Sequence, residues 1–242
     1  MVYIFGNWKC NPTNLKKAKE IFYTIEKNFK GNKKVHVAVF PPFVFLNSLN
    51  SEKVKKGAQD VFWEKQGAFT GEISPLMLKD AGCKYCLVGH SERRYIIGEN
   101  NEIIEKKLRS CLENKIVPIL CFGEREKVSF GKVKIEIKEQ LKFLINYKSF
   151  KNVILAYEPV FSIGTGLVCD TSHINDVLNF LKNELNIKYK VLYGGSLNSK
   201  NCQEILEKCD INGFLVGGAS LKTREFLKII EIAEKYAKSK EK

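Results

Sequence analysis

Four residues of this chain are of types that could move protons on a small molecule: Glu158, His90, Lys9 and Asn7. Glu158 closes an apolar run, Val153 to Tyr157, and stands before Pro159 and a loop that becomes glycine-rich at Ile163-Gly164-Thr165-Gly166. A carboxylate at the end of a buried strand is a candidate general base, because burial raises its pKa and glycines let a loop fold over it. Taken alone, the same pattern reads as a strand-end glutamate capping the next helix. His90 ends the run Leu87-Val88-Gly89 and precedes Ser91, a possible helix N-cap. A helix dipole at that place disfavours the imidazolium and suits a neutral ring that donates a hydrogen bond. Asn7 and Lys9 are two apart in Gly6-Asn7-Trp8-Lys9, so the period of a strand puts both on one face.

Two turns add an anion site to this set. Tyr193-Gly194-Gly195-Ser196 and Val216-Gly217-Gly218-Ala219-Ser220 each follow a short apolar run, and such turns direct backbone N–H groups at a phosphate. Other chemistries have less behind them. No second histidine is placed to activate Cys121 as a nucleophile. Cys83 and Cys86 have the spacing of a metal or redox pair but lack a second pair, so no metal site is expected. His36 and His173 are read as structural, and Glu92-Arg93-Arg94 as an ion-pair network holding its loop.

These residues require a frame that gathers strand ends. Short β-branched or aromatic runs place strands near Tyr3 to Trp8, Val35 to Phe40, Gly57 to Val61, Tyr85 to Gly89, Ile116 to Phe122, Val153 to Tyr157, Lys190 to Tyr193 and Gly213 to Val216. Between them lie amphipathic patterns such as Leu15, Ala18, Ile21, Phe22 and Ile25, and later Phe226, Leu227, Ile230 and Ala233. Eight βα units without a long insertion favour a closed (β/α)8 barrel, with residues 1–242 as one domain, over an open doubly wound sheet, which periodicity also permits. In a barrel the chemistry gathers at the C-terminal ends of the strands, and a phosphate is often held after strands seven and eight.

Composition narrows the classes. A hydrophobic content of 44%, six prolines and no low-complexity tract describe a folded globular chain. Met1-Val2-Tyr3-Ile4 has no basic leader, and no apolar run approaches the ~18 residues that span a bilayer, so a cytoplasmic protein with no membrane partner is expected. The eight cysteines are then reduced thiols, with Cys86 and Cys121 buried in strands. The net charge of +13 fits nucleic-acid binding, steering of an anionic substrate, or a lysine-rich surface. The lysines spread along helical segments such as Asn14 to Lys30 and Lys132 to Lys148, which favours a solvated surface and no nucleic acid. The loop Phe62 to Thr70 is too aromatic for water and is expected to insert into a second subunit.

Together, Gly6-Asn7-Trp8-Lys9, Gly67-Ala68-Phe69-Thr70-Gly71-Glu72, Gly89-His90-Ser91-Glu92-Arg93-Arg94, Tyr157-Glu158-Pro159-Val160 with Ile163-Gly164-Thr165-Gly166, and the two glycine turns resemble the triosephosphate isomerase family over essentially the whole chain. The resemblance implies interconversion of dihydroxyacetone phosphate and D-glyceraldehyde 3-phosphate, in glycolysis and gluconeogenesis, by a homodimeric barrel without cofactor or metal. It implies Glu158 as the base, His90 as the neutral acid that polarises the carbonyl, and Lys9 and Asn7 as partners of the enediolate and the substrate oxygens. It also implies that Gly164, Ser196, Gly217 and Gly218 bind the phosphate, that Pro159 to Cys169 close as a lid, and that Thr70, with Phe69, crosses the dimer interface. Phe161 and Ser162 depart from the family's usual lid tryptophan and the alanine after it, and the expected consequence is altered lid motion. The rival readings are another phosphosugar-binding barrel enzyme and a non-catalytic basic binding protein.

Overall fold

The computed structural model describes residues 1–146, 150, 152–164 and 167–240. Eight parallel strands close on one another in chain order: β1 Val2–Asn7, β2 Val35–Phe40, β3 Lys55–Ala58, β4 Cys83–Val88, β5 Val117–Phe122, β6 Ile154–Tyr157, β7 Lys190–Tyr193 and β8 Gly213–Val216. Around them pack α1 Leu15–Asn28, α2 Pro75–Asp80, α3 Asn101–Glu113, α4 Phe130–Asn146, α5 Thr171–Asn179, α6 Cys202–Lys208 and α7 Thr223–Ser239.

Two apolar layers follow from the alternation of strand side chains. One set, which includes Tyr3 and Phe5, Ala38 and Phe40, Tyr85 and Leu87, Ile119 and Cys121, and Ile154 and Ala156, fills the barrel. The intervening residues, such as Ile4, Val37, Val39, Cys86, Leu120 and Leu155, join the larger core beneath the helices. The helices meet it along single stripes: Ala18, Ile21, Phe22 and Ile25 of α1, and Phe226, Ile229, Ile230, Ala233 and Ala237 of α7. Continuing the inward alternation by one step past Phe5 and past Ala156 arrives at Asn7 and Glu158. The barrel mouth therefore receives polar side chains from positions in phase with its apolar filling.

The strand expectations hold to within one residue except for β3 and the start of β4, and the helix cap after β4 also differs. β3 runs from Lys55 to Ala58, not from Gly57 to Val61, because the buried ammonium of Lys56 is satisfied by the carbonyl of Leu46 and by Asn50 Oδ1, both at 3.0 Å. Satisfied in this way, a lysine can occupy a strand that an apolar pattern passes over. Gly57 is needed there, since a Cβ at that position would stand 2.1 Å from the Phe40 ring. β4 begins at Cys83, two residues before the expected Tyr85. After β4 the helical turn already includes Ser91, with the N–H groups of Arg93 and Arg94 both reaching the His90 carbonyl, so His90 and not Ser91 occupies the cap. Lys148, at the end of one expected lysine-bearing helix, lies outside the described residues, as do Thr165 and Gly166 of the glycine-rich loop.

Candidate active site

Glu158 follows directly on β6 and its backbone N–H donates to the Phe122 carbonyl at 2.7 Å, which carries the chain past the end of the ladder. Gly123 makes this possible: with φ of 150° it brings its Cα so close that a Cβ would lie 2.1 Å from the Glu158 carbonyl oxygen. The Glu158 side chain is only 2% exposed. Its Oε2 accepts the Ser91 N–H at 3.0 Å, and its Oε1 lies 3.0 Å from His90 Nε2. Burial pushes the pKa of Glu158 up, but the neighbouring His90, its hydrogen bond, the Ser91 N–H and the Lys9 charge outweigh it, and the carboxyl lies below its usual value. The expectation of a carboxyl raised by burial thus meets a site where charged and hydrogen-bonding partners prevail.

The tautomer of His90 follows from its contacts. The N–H of Glu92 points at Nδ1 from 3.3 Å, which makes Nδ1 an acceptor and places the ring proton on Nε2. The ring's Nε2 points at Glu158 across the mouth. The cause is the start of the helical turn at Ser91, which aims a free backbone donor back at the ring.

Lys9 adopts φ of 53°, a left-handed conformation rarely taken by a residue with a side chain. Two hydrogen bonds hold it there. Its N–H donates to Asn7 Oδ1 at 3.0 Å, and its carbonyl accepts from Gln59 Nε2 at 2.8 Å. Gln59 also donates to the Phe40 carbonyl at 2.7 Å, so it ties the first strand end to the second. Asn7 also lines the cavity. The Lys9 ammonium pairs with Glu92 Oε1 at 2.5 Å, so Glu92 serves the site as well as its own loop.

A cavity of about 690 Å3 lies over these groups. Asn7, Lys9, His90, Glu158, Gly164, Ser196, Gly217 and Gly218 all line it, which brings all eight expected residues to one space. A Cβ on Gly217 would sit 3.8 Å from Lys9 Cε, so the lysine stem runs from the second glycine turn to the Glu92 carboxylate. Ser196 donates from Oγ to the Ser162 carbonyl at 2.5 Å and links the seventh-strand turn to the loop after β6. Lys222 and Glu225 also line the cavity, and the sequence reading missed both; their only signal was their place just after the second glycine turn. Gln59 was missed as well. Cys121 sits below the site, and burial pushes its thiol well above the ordinary range, so it remains a protonated packing group.

The Glu92-Arg93-Arg94 cluster divides. Arg93 behaves as expected, with ion pairs to Asp60 at 2.9 Å and Glu99 at 2.5 Å, and Lys107 joins both carboxylates from α3. Arg94 instead donates to the carbonyls of Gly89 and Cys121 and to Asn101 Oδ1, bracing the strand end that carries His90. Phe69 and Thr70 do not line the cavity and stand on an exposed stretch from residue 64 to residue 72. Among the described residues no group of three or more His, Cys, Asp or Glu side chains could hold a metal ion, and no helix is long and apolar enough to cross a membrane.

Comparison with known proteins agrees with this arrangement along the chain. The family model for triosephosphate isomerase matches residues 2–233. The triosephosphate isomerase of Thermoanaerobacter pseudethanolicus is 40% identical over 244 residues, covering 94% of this chain and 97% of the relative. That of Aquifex aeolicus is 40% identical over 243 residues, with the same shares covered. That of Francisella tularensis subsp. novicida is 39% identical over 246 residues, covering 96% of this chain and 97% of the relative.

Proposed function

The chain belongs to the triosephosphate isomerase family, and from that premise we propose that Glu158, His90, Lys9 and Asn7 carry the proton transfers of its reaction. As a triose-phosphate isomerase it interconverts dihydroxyacetone phosphate and D-glyceraldehyde 3-phosphate. The observation that supports these roles is the single cavity in which the four polar groups face the two glycine turns.

The phosphate sits against the backbone N–H groups of Gly164, Ser196, Gly217 and Gly218, which anchors the substrate at the end away from the chemistry. Its carbonyl oxygen then takes the place that Glu158 Oε1 holds beside His90 Nε2. Displaced from His90 and from the Ser91 N–H, the carboxylate loses the contacts that hold its pKa down, while the burial that opposes them remains. It becomes a stronger base as the substrate arrives. Glu158 removes a proton from the carbon next to the carbonyl, and the electron pair moves through the new carbon–carbon double bond to oxygen. The neutral imidazole of His90 donates to that oxygen, and the Lys9 ammonium and the Asn7 amide stabilise the developing negative charge. Return of the proton to the neighbouring carbon, with exchange of a proton between the two oxygens, completes the isomerisation. Closure of the lid between Pro159 and Cys169 keeps water from the enediolate, which otherwise eliminates its phosphate.

The active unit is proposed to be a homodimer. A groove of about 420 Å3 opens beside the site, lined by Lys9, Cys10, Glu92, Ile96 and Ile97 among others. Ile96 and Ile97 are 77% and 63% exposed, and Phe69 projects from its own loop at 43% exposure. The Phe69–Thr70 loop of a second copy fits this groove and places Thr70 against the partner's Asn7 and Lys9.

Turnover of dihydroxyacetone phosphate in D2O tests the site. Isomerisation through an enediolate puts deuterium on the carbon that receives the proton and leaves the three-carbon chain intact. Deuterium on that carbon marks transfer through a base that exchanges with solvent, whereas carbon–carbon cleavage contradicts the reading and places the protein among the aldolase-like barrels instead.

A further inference from the structure

Behind the lid lies a second group of buried polar side chains that the mechanism does not use. Glu124 follows β5 and is wholly buried. Its carboxylate accepts from Tyr157 Oη, at 2.8 Å to Oε1 and 3.1 Å to Oε2, and Oε1 lies 2.8 Å from His173 Nε2. These contacts straddle the lid. Tyr157 stands two residues before Pro159, and the Glu124 carbonyl accepts the Val160 N–H at 3.0 Å, so Glu124 holds the first hinge. His173, in the first turn of α5, follows Cys169 and Asp170 at the second hinge, and its ring meets Phe161 edge-on at 6.5 Å. A cavity of about 120 Å3 separates the hinges, lined by Val128, Phe161, Val168, Cys169 and His173 among others. That space lets the hinge side chains shift while Glu124 stays fixed.

We propose that His173 is a positioning residue for the isomerisation: its ion pair with Glu124 holds both hinges in the arrangement seen here, and loss of its charge eases the lid over bound phosphate. The inference rests on the reading of Pro159 to Cys169 as a lid. A buried carboxylate is stabilised far more by a charged donor than by a neutral one. His173 can exchange its proton, since its side chain is 26% exposed. The groups that face it are Glu124 and Lys127 from the loop after β5, Asp170 at the lid's end and Asp176 on its own helix, with Phe130 of α4 against its ring. The hydrogen bond to Glu124 raises the His173 pKa above its usual value, against burial, and the charges of Glu124, Asp176 and Asp170 add to it. The pair therefore stabilises the seen arrangement below the ordinary histidine pKa, and that contribution fades as pH rises through the raised value.

His173→Gln keeps a donor for Glu124 but never carries a charge. The ratio of wild-type to His173→Gln KM, in which the substrate's own titration cancels, is expected to be near unity at about pH 9 and to rise at least about threefold by about pH 6. A ratio constant with pH, or one that falls toward low pH, overturns the proposal. A second readout does not need turnover. By linkage, saturating inorganic phosphate lowers the NMR titration midpoint of His173, with saturation followed on the Gly217 and Gly218 amides. An unmoved midpoint at saturation also overturns it. Phosphate that moves neither signal refutes the phosphate cradle proposed above, and the KM ratio then decides for His173.

Discussion

Lys9 holds its charge at the barrel mouth on a strained backbone, with φ of 53° and the strain borne by a hydrogen bond to Asn7 and one from Gln59. A left-handed residue with a side chain costs about 1–2 kcal/mol that glycine does not incur. Lys9→Gly is therefore expected to be more stable than Lys9→Ala by about 1 kcal/mol in denaturant unfolding. Both variants should be severely impaired in turnover. Equal stabilities would mean that the turn relaxes and that no strain is stored at the site. None of this was legible beforehand: the sequence marks Asn7 and Lys9 by their spacing, but Gln59 sits fifty residues away and carries no signal of its own. The candidate groups were legible by position: Glu158 stands between a strand and Pro159, His90 follows Gly89, and Asn7 and Lys9 lie at and just past the end of β1. Glu92 was assigned to its loop, and its contact with Lys9 emerges only when the first and fourth strand ends meet.

The elements that position these groups depend on a buried ion cluster outside the barrel. Lys107 of α3 is 3% exposed and meets Asp60, from the segment after β3, at 2.7 Å, and it also pairs with Glu99, which lies just before α3. Arg93, from the turn that carries His90, completes the cluster. Burial pushes the Asp60 pKa up against the pull of Lys107 and Arg93, so this carboxylate depends on its partners for charge. Lys107→Ala leaves two buried acids with only Arg93, and unfolding in denaturant is expected to show a loss of about 3 kcal/mol. A loss under about 1 kcal/mol would show that water replaces the ammonium. Periodicity marks α3 by Ile104, Leu108 and Cys111 but gives no reason to bury a lysine between them. The same limitation displaced β3, where Lys56 hides a strand from an apolar pattern. In β2, β7 and β8 the expected and observed ranges coincide, although His36 and Lys190 stand in the first two.

At the scale of the molecule, the eight βα units and the two glycine turns were legible because order in the chain is order around the barrel. The surface proposed to meet a second copy is written less directly. Its signals are an aromatic loop and apolar side chains left in water, including Val44, Phe69, Met77, Ile96 and Ile97. Replacing Phe69 with Asp and Thr70 with Ala should give monomers in sedimentation, with turnover reduced far below the native rate. A fully active monomer would refute the homodimer as the active unit.

The central claim is that Glu158 is the base, and the measurement that tests it most directly is the rate of D-glyceraldehyde 3-phosphate isomerisation by the native protein and by Glu158→Ala, purified identically. Native turnover with a loss of about three orders of magnitude or more in the variant, and an unchanged circular dichroism spectrum, is the predicted result. A folded Glu158→Ala protein that isomerises at the native rate would contradict it.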